Sequence, residues 1–399
     1  MGYSCSLSQK LPLTWMAKKY KEFLDKRLVL IVLAQVSWIL LHAQTNWAIL
    51  GFWANERVLG KDLQFVAASV VCDRNQSFFS SFVAEQCENY YGITLIRFLR
   101  IVGFDLDNFK FFYLVITCTT ILITSLVFNR YTSGLSLFKK ISWFLIVFGP
   151  FYLLLIHRGN IDQVIFDCLV ISFYLYSKNK TKLLLYALVF CALIKFYTLP
   201  LLLIYACCYA KRSVFTWVLA IGVTVEITRE VQQIDFLPIR NISSSFGLSI
   251  FMDYYFMLDQ ISSALKIVFV LIIIAATWKV ISFTLKENTW SFKNTPSHSM
   301  GNFFILQHLV CYIAFLNYDW RLIFVIYSFF ISSHKIIDGR RLTIYFAISL
   351  VVSWSSSGFN QIALFGDVLL YLLFVFLSVK FCVSLYSHAS GLYREKKRI

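Results

Sequence analysis

Charge is what this chain has least of. Asp, Glu, Lys and Arg together make up 15% of its 399 residues, and only 21 residues are acidic. With 59% hydrophobic residues and a mean hydropathy of +0.69, the composition lies far from that of soluble globular domains. An integral membrane protein is the class that remains. Also missing are an internal repeat, a low-complexity tract and any linker that would detach a soluble domain, so a single membrane domain is expected. No nucleophile elbow, phosphate-binding glycine loop or dinucleotide fingerprint occurs, which removes the enzyme classes those motifs carry. No His, Cys or carboxylate pair has metal-ligand spacing and the six histidines are scattered, so neither a metal nor a bound cofactor is expected. The 27 mostly polar residues before the first apolar run lack a cleavage signature, and that run reads as a signal anchor.

Long apolar runs are plentiful. Residues 28–47, 109–128, 264–285 and 367–387 each supply roughly the 20 residues needed to cross a hydrocarbon core at about 1.5 Å per residue. Shorter runs lie at 141–157, 161–177, 183–197, 198–210, 214–228, 302–316, 321–333 and 342–357. They must tilt, break, or pack where the bilayer is thinned. The expected fold is therefore all-α, a polytopic transmembrane helical bundle of about a dozen passes.

Lys and Arg set the orientation, because positive flanks stay in the cytoplasm. The basic segments are 17–27, 130–140, 178–182, Lys211 with Arg212, 334–341 and the tail from Arg394 to Arg398. With all six inside, the passes alternate, provided that 183–210 is two passes turning outside near Lys195 to Pro200. Pro200 supplies that break. The expected layout is a cytoplasmic basic segment 1–27, one transmembrane domain 28–388 and a cytoplasmic basic tail 389–399. Two longer loops, 48–108 and 229–262, face outside, and short apolar stretches such as Ile93 to Phe104 are expected to be helices lying in the interface. Much of the net charge of +16 sits in the basic loops, where topology and contact with anionic membrane lipids account for it better than nucleic acid does.

On this layout the polar interruptions fall on one side: Asp62, His157 to Asp162, Lys195, Arg240, Asp319 and Arg321. Each has a plain alternative. An Asp at a helix start most often caps it, which applies to Asp62. Asn160 and Asp162 favour turns, although a turn needs no Arg158. Lys195 can snorkel to the interface, and Asp319 can be a local partner for Arg321. Arg240 heads a polar stretch ending at Gly247. Together, four cations and a few carboxylates at one membrane face point to a lipid-linked anion held beside a general base. Cys72 and Cys87 share the first outside loop, where an oxidising compartment favours a disulfide.

The order of these features resembles the GT-C superfamily of polytopic glycosyltransferases, in particular the bacterial proteins grouped around glycosyltransferase family 87. The resemblance rests on Asp62 opening the first outside loop, the Arg-Gly-Asn-x-Asp turn of Arg158 to Asp162, Lys195 ending a short pass before Pro200, and the Asp-aromatic-Arg turn of Asp319 to Arg321. It spans most of residues 28–330. In similar sequences proline often follows the lysine directly, whereas Phe196 to Leu199 intervene here. The resemblance implies a GT-C-like fold, Asp62 as catalytic base, and a polyprenyl-phosphate sugar, mannose in that group, as donor and co-substrate. The expected activity is inverting transfer to a lipid or glycan acceptor at the periplasmic face of the bacterial inner membrane. Arg158, Asn160, Asp162, Lys195, Arg240, Asp319 and Arg321 are then the expected substrate-binding residues. Two other readings stay open: a transporter or flippase of lipid-linked glycans, which requires a polar path continuing through the membrane, and a non-catalytic scaffold of an envelope-glycan complex.

Overall fold

The computed structural model describes residues 26–44, 59–74, 93–176, 181–195, 198–208, 213–231, 245–246, 263–286, 317–318 and 322–333, with short pieces between 368 and 379. Apart from the turns that connect them, the elements are helices, with one antiparallel two-residue pairing of Ser245–Phe246 with Asn317–Tyr318. The helices are α1 (Lys26–Gln44), α2 (Lys61–Arg74), α3 (Ile93–Ile101), α4 (Phe109–Thr132), α5 (Leu137–Val147), α6 (Pro150–Arg158), α7 (Asp162–Tyr176), α8 (Thr181–Ile194), α9 (Leu199–Cys208), α10 (Val214–Val231), α11 (Ser263–Lys286) and α12 (Leu322–Ser333).

Among the described residues, α1 and α4 are long and apolar enough to cross a membrane. The pair α5 and α6, bent by 44°, makes a third candidate when counted as one broken span. The break has a local cause: Gly149 precedes Pro150, and proline brings no amide hydrogen to the helix ladder. The outward faces of α1 and α4 carry exposed Leu30, Leu33, Phe111 and Leu114, the pattern of helices whose surroundings are apolar.

The core forms where α4 to α9 and α12 meet, around Phe148, Tyr152, Phe166, Phe324 and Tyr327. Ring contacts fix relative directions. Phe324 lies 6.2 Å from Phe166, and Phe330 stacks on Phe128 at 5.5 Å, so α12 runs parallel to α7 and α4. Tyr113 of α4 bonds the Ile156 carbonyl of α6, while Tyr152 of α6 contacts Thr124 of α4, so these two run antiparallel. As a result, the Arg158 turn, the start of α4, the start of α7 and the start of α12 share one end of the bundle.

Two small helices cover that end. Helix α2 buries Leu63, Val66, Ala67 and Val70, a spacing of three and four that lines one helical face. Helix α3 buries Leu95, Ile96 and Leu99 against α2 and α8, leaving Arg97, Phe98 and Ile101 outward. The stretch expected to lie in the interface is thus a short helix with an exposed apolar and basic edge.

Candidate functional site

A pair of glycines builds the site. Gly60 and Gly159 both adopt left-handed backbone, with φ of +74° and +61°. Gly159 ends α6, its N–H bonding the carbonyls of Leu155 and Ile156, and turns the chain into Asn160. The Gly60 N–H donates to the His157 carbonyl at 2.9 Å, which ties the start of α2 to the end of α6. The start of α2 and the Arg158 turn are thereby held backbone to backbone.

That contact sets Asp62, in the first turn of α2, against residues nearly a hundred positions away. Arg158 Nη2 lies 2.9 Å from Asp62 Oδ1, and Asn160 Nδ2 donates to Asp62 Oδ2 at 2.6 Å. Asn160 works in both directions: its Oδ1 accepts from the Asp162 backbone N–H at 2.9 Å and from Lys195 Nζ at 3.2 Å. Lys195 Nζ also pairs with Asp162 Oδ1 at 3.1 Å. Asp62, Arg158, Asn160, Asp162 and Lys195 therefore form one continuous network. Lys195 sits where α8 ends, with its carbonyl accepting from the Thr198 hydroxyl and N–H as α9 begins at Leu199.

Exposure grades the cluster. The Asp162 side chain is 0% exposed and Asp62 8%, against 14% for Lys195 and 24% for Arg158. The two cations are thus the more exposed members of the cluster. Burial raises the Asp62 carboxyl above its ordinary range, and the Arg158 guanidinium, the Asn160 hydrogen bond and the Lys195 charge oppose that rise. Each cation faces a carboxylate, so these four charges sum to zero. Of the four cations and few carboxylates expected at this face, the two described cations are each paired with a carboxylate.

Arg240, Asp319, Arg321 and Cys87 lie outside the described residues, as does the side chain of Cys72, so the expected disulfide and three of the expected binding residues are not placed. Helix α12, which starts directly after Arg321, begins at the site end of the bundle. Among the described residues no group of three or more His, Cys, Asp or Glu is arranged to hold a metal. Comparison with protein-family models, curated proteins and solved structures finds no match.

Sequence reading missed a second polar network deeper between the helices. Gln35 of α1 donates to Ser125 at 2.6 Å and accepts from Tyr152 at 2.9 Å, and Thr120 donates to Asp167 at 2.8 Å. The signal was available. Thr117, Thr120 and Thr124 recur at three and four residues along one face of an apolar helix, and Asp167 interrupts an apolar run.

Proposed function

We propose that this chain is an inverting membrane glycosyltransferase that moves a sugar from a polyprenyl-phosphate donor to a lipid or glycan acceptor at the periplasmic face of the bacterial inner membrane. One observation carries the reading: Asp62, from the first loop, shares a network with Arg158, Asn160 and Lys195 at one end of an apolar helical bundle. The dozen-pass GT-C-like architecture belongs to this proposal, with the described helices as its framework.

The chemistry follows from the pairing. A polyprenyl phosphodiester is an anion at headgroup depth, and a guanidinium offers five N–H donors in a planar fork, so Arg158 has the geometry to take a phosphate. As the phosphate engages Arg158, it competes with Asp62 and releases the carboxylate toward the acceptor hydroxyl. Asp62 then removes the hydroxyl proton while the acceptor oxygen attacks the sugar carbon from the face opposite the leaving phosphate, which inverts the anomeric configuration. Negative charge grows on the departing phosphate, so Arg158 and Lys195 favour the transition state over the ground state. Arg240, Asp319 and Arg321 complete the donor site in this proposal. Asn160 holds Asp62 on one side and Lys195 on the other, and Asp162 anchors Lys195.

The test is transfer of radiolabelled mannose from polyprenyl phosphate to membrane acceptors by purified protein. Asp62→Asn is expected to abolish transfer and leave donor binding equal or tighter, since the amide no longer competes for Arg158. A fully active Asp62→Asn protein would refute the base assignment. A second reading, a transporter of lipid-linked glycans, is favoured by the buried polar residues that continue from the site to Gln35. It predicts movement of labelled lipid across a vesicle membrane with no new glycosidic bond.

A further inference from the structure

Beneath the Asp62 cluster, α4 and α7 run side by side in the same direction, and the Thr120–Asp167 hydrogen bond marks where they touch. One turn toward the site on the same two faces lie Thr117 and Gln163. All four side chains are buried, Thr120 and Gln163 completely and Asp167 to 5% exposure. Two of their oxygens, Asp167 Oδ1 and Gln163 Oε1, are buried without a protein hydrogen-bond partner, and a third, Thr117 Oγ1, is buried beside the Tyr113 hydroxyl. The Gln163 amide nitrogen is committed to the Leu155 carbonyl at 2.8 Å, so its oxygen is the end left to face a ligand.

These oxygens do not satisfy one another. Thr117 can donate, yet it bonds to neither of the other two, and the Gln163 oxygen and an ionised Asp167 oxygen can only accept. Among the described residues no basic side chain forms an ion pair with Asp167. Its titratable neighbours are Tyr152 of α6, Tyr327 of α12 and Cys168, none of them a cation. A carboxylate among apolar helices requires compensation, and an oxygen-only ligand set selects a hard ion. One formal negative charge matches one positive charge, whereas a divalent ion would leave a net charge in a low-dielectric interior.

We propose that Asp167, Gln163 and Thr117 bind a small monovalent cation of the sodium type between α4 and α7, with Thr120 orienting the Asp167 carboxylate. Asp167 lies about 7.5 Å below Asp162, five residues along α7 at about 1.5 Å each. Nothing in the site requires the transferase reading.

The experiment is thermal unfolding of the purified full-length protein in detergent, comparing sodium chloride with choline chloride at equal ionic strength and pH. Sodium is expected to raise the melting temperature saturably, by on the order of 3 °C. Asp167→Asn, nearly the same size, should melt normally in choline chloride and lose the sodium response. Gln163→Leu and Thr117→Val should each raise the half-saturating sodium concentration about tenfold, an independent readout should Asp167→Asn fail to fold. Equal melting in the two salts, or a full sodium response in Asp167→Asn, overturns the proposal. Stabilisation by acid alone also overturns it, since Asp167 would then be a protonated carboxyl hydrogen-bonded in place. Unchanged half-saturation in Gln163→Leu and Thr117→Val does the same.

Discussion

Gly60 and Gly159 touch through their backbones: a Cβ on Gly159 would lie 2.7 Å from Gly60 Cα and 2.8 Å from the Tyr113 ring. Neither the left-handed φ of +61° nor the backbone contact can be relieved by moving a flexible side chain. Gly159→Ala is therefore expected to cost about 2–3 kcal/mol and to separate Asp62 from Arg158. Gly103 is the control. Its φ of +73° is similar but its Cβ would meet nothing within 4 Å, so Gly103→Ala should cost about 1 kcal/mol. Melting temperatures of the two variants, with labelled-sugar transfer as a second readout, check both values.

The Asp62 carboxyl titrates above its ordinary range because it is buried, and Arg158 holds that rise in check. The folded state thus binds a proton more readily than the unfolded chain. Stability from this group is present below the unfolded carboxyl's titration and is lost as pH rises through the folded one. With Asp62 as the proposed base, activity is expected to run the other way, because a base must be ionised. The acid limb of the transfer-rate profile is expected above the usual carboxylate range, and Arg158→Gln should move it higher still. A limb that stays fixed when Arg158 is neutralised would show that some other group controls it.

Lys195 and Asp162 form the most enclosed ion pair among the described residues, at 3.1 Å with Asp162 fully buried. Removing one member takes a close opposite charge away from the other. Asp162→Leu is expected to cost about 3–5 kcal/mol, while Asp162→Leu with Lys195→Met together should recover most of it. The recovered double variant should still lose transfer, because Asn160 then has no Lys195 to orient it against Asp62. Unfolding free energies for the three proteins, with transfer rates alongside, separate structural from functional cost.

The site was more legible than the scaffold. The Arg158 to Asp162 turn and Lys195 break apolar runs, and such breaks are costly enough to stand out in a sequence, whereas Asp62 sits in a polar stretch beside Lys61 and Gln64. Their common end followed from counting passes, yet their pairing did not. Nothing in residues 158 or 195 shows that each faces a carboxylate, since ion pairing depends on where Gly60 and Gly159 bring two loops together. Likewise the spacing of Thr117, Thr120 and Thr124 marks a polar stripe, but hydroxyls also bond their own helix, as Thr124 does to the Thr120 carbonyl at 2.7 Å. Only packing reveals which of them reach across to Gln35 and Asp167.

Gln35 offers the sharpest test of that deeper network. Its Oε1 accepts from Tyr152 at 2.9 Å and faces Thr124 at 3.2 Å. A hydroxyl has one proton, and Thr124 places its own closer to the Thr120 carbonyl, at 2.7 Å. The Gln35 oxygen thus depends on Tyr152. Tyr152→Phe should cost about 1–2 kcal/mol, because a buried acceptor loses its main donor, whereas Thr124→Val should cost less than about 1 kcal/mol. The cycle of Tyr152→Phe with Gln35→Leu should give a coupling of about 1 kcal/mol, measured by denaturant titration in mixed micelles. Coupling near zero there, with equal costs at Tyr152 and Thr124, would mean that the tyrosine hydroxyl does not serve Gln35.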